Sequence, residues 1–276
     1  MMQISLHPIG VFDSGYGGLT ILKEFVKKLP DHDFIYLGDN ARSPYGTRSY
    51  ETVYSYTLEA VQRLFQMGCQ LVIIACNTAS AKALRTIQQK NLPEIDPSRR
   101  VLGVIRPTVE ILNSFTKTKH VGILGTMGTV SSNSYVLEIR KIYQDLVVVQ
   151  VACPLWVPLV ENNEIGNPGA DYFVKKNIEQ LLVADPEIDA ILLGCTHYPL
   201  LLDSIRKYTP MHVSIIQQDR VVADSLIDYL KRHPEIEARC SKNRAVRFYT
   251  TDSTELFDER GSIFFKKQIA SEKITL

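Results

Sequence analysis

Most apolar segments of this 276-residue chain are unbroken runs, and that limits its fold more than any other feature. PIGVF (8–12), DFIYLG (33–38), LVIIA (71–75), RVLGVI (100–105), HVGILG (120–125), LVVVQVA (146–152), AILLG (190–194), VSIIQ (213–217) and VRFYT (246–250) read as strands. A strand with one wet face alternates polar and apolar residues. A continuous apolar run is buried on both faces, as parallel strands under helices are. Helical stretches lie between the runs. Leu19, Leu22, Val26 and Leu29 mark one face of a helix ending near Pro30, and a second helix is expected from about Tyr50 to Met67, closed by Gly68. Strand–helix alternation over the whole length makes the fold class α/β.

The runs also echo one another. IGVFDSG (9–15) resembles VGILGTM (121–127), offset by 112, and VIIACNT (72–78) resembles ILLGCTH (191–197), offset by 119. Two matching pairs in the same order favour a duplication: two similar α/β units whose strand ends face a shared cleft. LPEIDPSRR (92–100), with two prolines and several charges, reads as the linker between them. Residues beyond about 210 either extend the second unit or return to the first.

Composition excludes several classes. The net charge is +1, so nothing points to nucleic acid or an anionic membrane surface. The basic pairs Arg99–Arg100 and Lys266–Lys267 read as solvated surface. The five cysteines are odd in number and widely spaced, without a C-x-x-C pair, which argues against a disulfide framework and a zinc knuckle. Free thiols fit a reducing cytosol. MMQISLHPIGVFDSG lacks the pattern of a secretory signal, and no apolar run approaches the ~20 residues of a membrane span. A cytoplasmic protein is expected.

Chemistry concentrates at the strand ends, where open α/β sheets place ligands. Cys76-Asn77-Thr78 and Cys195-Thr196-His197 follow two matching runs. A single buried cysteine is more often structural. Two in echoing frames suit two proton-transfer groups facing one substrate from opposite sides. A helix start with loop donors is expected to lower each thiol from its free value of about 8.5. His197 could polarise Cys195, and Asp13 could serve Cys76 in the same way, two different helpers at corresponding places. Asp13-Ser14-Gly15, with Gly17-Gly18, offers close backbone approach, but it is neither a dinucleotide fingerprint nor a phosphate loop. Asp39 to Gly46 follows the second run, which aims Tyr45 and Gly46 at the same cleft. Cys69, Cys153 and Cys240 have no comparable context and read as structural.

On IGVFDSGYGGLTIL (9–22), DNARSPYG (39–46), ACNTAS (75–80), GTMGTVSSNSY (125–135), CPLWVPLVE (153–161), GCTHYPLL (194–201) and FYTTDSTELF (248–257), in this order, the chain resembles the cofactor-independent glutamate racemases. The resemblance covers nearly the whole length. It implies two similar open parallel-sheet domains related by pseudo-twofold symmetry, with the active site in the cleft. Residues 1–97 and 210–276 would form a discontinuous first domain, and 98–209 the second. It implies interconversion of L- and D-glutamate without pyridoxal phosphate or metal, supplying D-glutamate for peptidoglycan. Cys76 would take the α-proton from D-glutamate and Cys195 from L-glutamate, assisted by Asp13 and His197 respectively. Substrate contacts would come from Asp13, Ser14, Tyr45, Gly46, Asn77, Thr78, Thr126, Thr196 and His197, with Thr129 and Glu161 as additions. The partner is then a small molecule, not nucleic acid or membrane, and the family points to a homodimer. In one respect the chain departs from the pattern. Many members carry an Asp-Ser-Gly-like turn after the eighth strand, and here Gln217-Gln218-Asp219 stands there. Other readings stay open from the residues alone: an aspartate racemase, a Cys-His hydrolase built on Cys195 and His197, or a two-domain receptor for a small ligand.

Overall fold

The computed structural model describes residues 7–276. The first six residues, with the start of the expected first domain and of the stretch read for a secretory signal, lie outside the described residues. The nine expected strands all form: β1 (Ile9–Asp13), β2 (Phe34–Gly38), β3 (Leu71–Ile74), β4 (Arg100–Gly103), β5 (His120–Gly125), β6 (Val147–Ala152), β7 (Ala190–Gly194), β8 (Ser214–Ile216) and β9 (Val246–Thr250). A tenth, β10 (Ser271–Lys273), is short and polar and gave no apolar signal. Every pairing is parallel. The central strands β1, β3 and β7 are buried at every position, as their unbroken apolar runs require.

Two sheets result, a six-stranded one in the order β10-β9-β2-β1-β3-β4 and a four-stranded one in the order β6-β5-β7-β8. The repeat is visible in these orders, since β2-β1-β3-β4 corresponds to β6-β5-β7-β8. In each unit the chain leaves the inner strand to one side and later returns to its other side. The crevice at such a switch point lies beyond the carboxyl ends of β1 and β3 in one sheet, and of β5 and β7 in the other.

Helices cover the sheets where the sequence placed them. The first, α1 (Leu19–Lys28), follows the glycine turn after β1. The second, α2 (Tyr50–Gln66), starts at Ser49, whose side chain accepts from the Thr52 N–H. It is closed by Gly68 at φ +96°, a conformation that glycine adopts without strain. Among the described residues no helix is long and apolar enough to cross a membrane.

The sheets divide later along the chain than the expected domain limits. β4 lies past residue 97 yet pairs with β3 in the first sheet, and β8 lies past 209 yet pairs with β7 in the second. The stretch 92–100 is therefore not a linker. It holds a short helical segment, Leu92–Ile95, and then the turn into β4. The physical reason is the repeat: each unit needs its fourth strand to cover the open side of its third. Only afterwards does the chain cross, through helix Ile105–Ile111 after β4 and helix Gln218–Arg232 after β8. The far end of the chain returns to the first sheet as β9 and β10.

Packing repeats as well. Gly10 and Gly122 occupy the same place in the two inner strands. A Cβ at Gly10 would stand 3.1 Å from Cys69 Sγ, and one at Gly122 would stand 2.5 Å from Leu181 Cδ2, on helix Pro168–Ala184. Gly122→Val should therefore lower the unfolding free energy by about 2 kcal/mol through overpacking. Urea denaturation checks this, and an unshifted midpoint would show that Leu181 yields freely.

Candidate active site

Three strand-end turns converge between the sheets. β1 ends at Asp13, which is 0% exposed. Asp13 Oδ1 accepts from the Gly15 N–H at 2.9 Å, which curls the turn back on the strand end. β3 delivers Cys76 as the N-cap of α3 (Asn77–Lys82), with its sulfur 3.5 Å from the Ala79 N–H and 3.4 Å from Ser14 Oγ. β7 delivers Cys195, whose sulfur lies 3.8 Å from His197 Nδ1. The other ring nitrogen of His197 lies 3.0 Å from Glu161 Oε1, and Phe264 packs edge-on against the ring. The first unit's turn meets the second unit's directly. Thr196 Oγ1 donates to Asp13 Oδ2 at 3.4 Å, and a Cβ at Gly17 would fall 2.1 Å from Thr196 Oγ1 and 2.6 Å from His197 Nδ1.

Both thiols line one cavity of about 70 Å³. Ser14, Tyr45, Gly46, Asn77, Thr78, Thr126, Thr196, His197 and Glu161 line it with them. Asp13 and Thr129 stand behind this wall: Asp13 beneath the first turn, Thr129 hydrogen-bonded to Thr126 at 3.1 Å. Tyr45 contributes its ring, while its hydroxyl donates to Asp39, a carboxylate that also accepts from Arg42 Nε at 2.7 Å. Two short contacts join the units beside the cavity. Thr78 Oγ1 and Thr126 Oγ1 lie 2.8 Å apart, and the Gly128 N–H donates to the Gly46 carbonyl at 2.7 Å.

Sequence reasoning missed part of the wall. Cys153, read as structural, lines the cavity with Pro154 and Val157. The available signal was its place directly after a fourth strand end, β6. The carboxylate beneath Tyr45 was also missed, although Asp39 follows the β2 end. The two helpers do not sit at equivalent positions. In the repeat Asp13 corresponds to Gly125 and His197 to Thr78, so the backbone is duplicated and the chemistry is not.

The expectation of lowered thiols is corrected at Cys76. Burial pushes this thiol up to about 12, and the Asp13 carboxylate adds to the shift. The Ser14 hydroxyl and the Ala79 N–H, which favour the thiolate, offset it only in part. Asp13 itself is raised above the ordinary carboxylate range by burial, with the His197 charge and the Gly15 and Gly18 amides pulling the other way. For His197, burial favours the neutral ring, but hydrogen bonds and charge from Cys195 and Glu161 outweigh it and raise the imidazole well above its usual value. One thiol is thus held protonated, and the other lies 3.8 Å from an imidazole whose pKa is held well above its usual value.

The model of the Asp/Glu/hydantoin racemase family matches residues 13–225, a span containing both cysteine turns and the aspartate turn. The chain belongs to this family. Among similar racemases, the glutamate racemase of Ruegeria sp. (strain TM1040) is 39% identical over 274 residues, covering 96% of this chain and 98% of that one. The crystal structure of glutamate racemase isoform RacE1 from Bacillus anthracis superposes with a TM-score of 0.88 at 33% identity, covering 99% of this chain and 98% of that one. The Francisella tularensis glutamate racemase, solved in complex with D-glutamate, gives a TM-score of 0.87 at 33% identity, with the same coverage. The chain is thus an amino-acid racemase, and its racemase fold brings the paired cysteines to one cavity.

Two outcomes are expected from the site's packing and charge. Gly17→Ala should reduce kcat/KM at least about tenfold with the far-UV circular dichroism unchanged, because the methyl has to displace the Thr196 hydroxyl by about 1 Å and the His197 ring by less. His197 has a raised pKa in the folded state, so its contribution to stability is complete below the unfolded value of about 6.5 and is lost as pH rises through the higher folded value. The Tm advantage of wild type over His197→Gln should therefore shrink as pH rises above about 6.5. An advantage that grows over this range would contradict a buried imidazolium.

Proposed function

We propose that the racemase interconverts L- and D-glutamate by two-base proton transfer between Cys76 and Cys195. The observation that carries this is the pair of thiols at equivalent strand ends of a duplicated unit, lining one cavity. With L-glutamate, the Cys195 thiolate takes the α-proton and becomes a thiol, leaving the electron pair on the α-carbon. The Cys76 thiol then delivers its proton to the opposite face and becomes a thiolate, giving D-glutamate. With D-glutamate the same steps run in reverse. An amino-acid α-C–H is a very weak acid, so the carbanion needs support. Backbone amides of the strand-end turns, with the hydroxyls of Ser14, Thr126 and Thr196, surround the space for the substrate's carboxylates.

The unequal settings of the thiols fit this assignment. His197, held by Glu161, lies beside Cys195, the sulfur assigned here as the base toward L-glutamate. Cys76 rests as an acid. The ammonium of a bound amino acid adds positive charge beside Asp13 and Cys76, which eases the formation of the Cys76 thiolate as its proton leaves. In the cell this activity supplies D-glutamate for peptidoglycan from a cytoplasmic enzyme, and a homodimer is the expected assembly. The Glu161–His197–Cys195 series also favours a second reading, a Cys-His hydrolase in which Cys76 only packs.

Deuterium incorporation distinguishes the readings. In D₂O, wild type should racemise either glutamate enantiomer and place one deuterium at the α-carbon of the product. Cys76→Ser and Cys195→Ser should each lose at least about a hundredfold in racemisation. Turnover of aspartate but not glutamate would overturn the substrate assignment. Full racemisation by Cys76→Ser would overturn the two-base assignment, and a wild type that places no deuterium at the α-carbon but cleaves an amide or ester would favour the hydrolase.

A further inference from the structure

The turn that departs from the family pattern leads to a buried network behind Cys76. Gln218 is the first residue of helix Gln218–Arg232 and only 4% exposed. Its Oε1 accepts from Asn77 Nδ2 at 2.8 Å. Its Nε2 donates to Tyr135 Oη at 2.7 Å and to Thr108 Oγ1 at 2.8 Å. The Tyr135 hydroxyl donates in turn to Asn77 Oδ1 at 2.6 Å, and the Thr108 hydroxyl to the Val104 carbonyl at 2.7 Å. Gln218, Tyr135 and Asn77 thus close a ring of three hydrogen bonds in which each side chain gives one and takes one. Rings of this kind stiffen cooperatively in a dry interior.

The hydrogen bonds of the ring reach Cys76, while the apolar edge of Tyr135 packs near Gly194, which precedes Cys195. Asn77 is bonded through its main chain to Cys76 and begins α3, whose Ala79 N–H reaches the Cys76 sulfur. Its side-chain oxygen is occupied by Tyr135, which leaves Asn77 as an anchor more than a substrate ligand. On the Cys195 side the equivalent of Asn77 is Thr196, whose hydroxyl contact to Asp13 is long at 3.4 Å. The equivalent of Gln218, the first residue of the helix after the fourth strand, is Ile105, which has no side-chain hydrogen-bonding group. Tyr135 lies on helix Ser134–Ile142, over the second sheet, whereas α3 extends from the first. The anchor therefore fixes α3 from the other unit.

We propose that Gln218 is a positioning residue for the Cys76 half of the reaction, holding the Cys76 thiol in register through Asn77 and Tyr135. This rests on the two-base reading above. Gln218 touches no reacting atom. Its loss raises the barrier for proton transfer at Cys76 and leaves transfer at Cys195 intact. Because L- and D-glutamate are equally stable, kcat/KM must fall equally in both directions. The asymmetry appears instead in which proton transfer limits the rate.

The test uses the full chain with Gln218→Leu, Tyr135→Phe and the double variant, measuring racemisation of both enantiomers, primary isotope effects with α-deuterated L- and D-glutamate, and Tm. Each single variant should lose roughly tenfold in kcat/KM, mostly through kcat. The isotope effect on kcat/KM should rise for α-deuterated D-glutamate, whose proton Cys76 removes, and fall for the L enantiomer. The double variant should lose much less than the product of the single losses, since both act through Asn77. Wild-type rates in a folded single variant, equal changes in the two isotope effects, or fully multiplicative losses would each overturn the proposal. If Gln218→Leu fails to fold, Tyr135→Phe, which removes one hydroxyl, decides the matter by the same isotope effects. Wild type that does not racemise glutamate overturns both this proposal and the reading beneath it, whereas active wild type with unaffected variants overturns this proposal alone.

Discussion

A wholly buried carboxylate holds the two units in register. Asp13 ends the central strand of the first sheet, takes the Gly15 amide, and receives the Thr196 hydroxyl from the second sheet. A charge there is costly unless it is paired and hydrogen-bonded. The Gly15 and Gly18 amides and the His197 charge pull its pKa down, yet burial prevails and raises it above the ordinary carboxylate range. Everything near it inherits this constraint. Gly17 must be bare for the turns to meet. Cys76 feels Asp13 as a repulsive neighbour, and His197 is drawn into the same electrostatic balance.

The fold was legible because burial on both faces of a parallel sheet writes itself directly into sequence. β1, β3, β5 and β7 appear as apolar runs within a residue or so of their observed limits, and their echo foretold the shared order of the two sheets. The unit boundaries were less legible. Prolines and charges in 92–100 report a surface turn, and a surface turn inside a unit looks the same as one between units. β10, reading Ser-Glu-Lys, is held by backbone pairing to β9 and has no apolar face to announce it.

The site was legible in position and not in protonation. Cys76, Cys195, Ser14 and His197 reach one cavity because strand ends in this topology leave them nowhere else to go. Whether a thiol there is lowered or raised depends on how completely the opposite unit excludes water, which no local stretch encodes. The Gln218 network was illegible for a related reason: its partners Asn77, Tyr135 and Thr108 lie 141, 83 and 110 residues away along the chain. A turn that looked only atypical therefore supplies the centre of a buried hydrogen-bond ring.

The Thr78–Thr126 and Gly46–Gly128 contacts bear on how readily the units part. Separating them along this edge of the cavity breaks two short hydrogen bonds. Two such hydrogen bonds contribute roughly 2 kcal/mol net, so parting them alone leaves an open form at about a few per cent of molecules. If the proposed two-base reaction holds, that is rare enough to keep bulk water from quenching the carbanion it requires. It is also frequent enough that breathing of the units on a microsecond-to-millisecond scale can refill the cavity between turnovers.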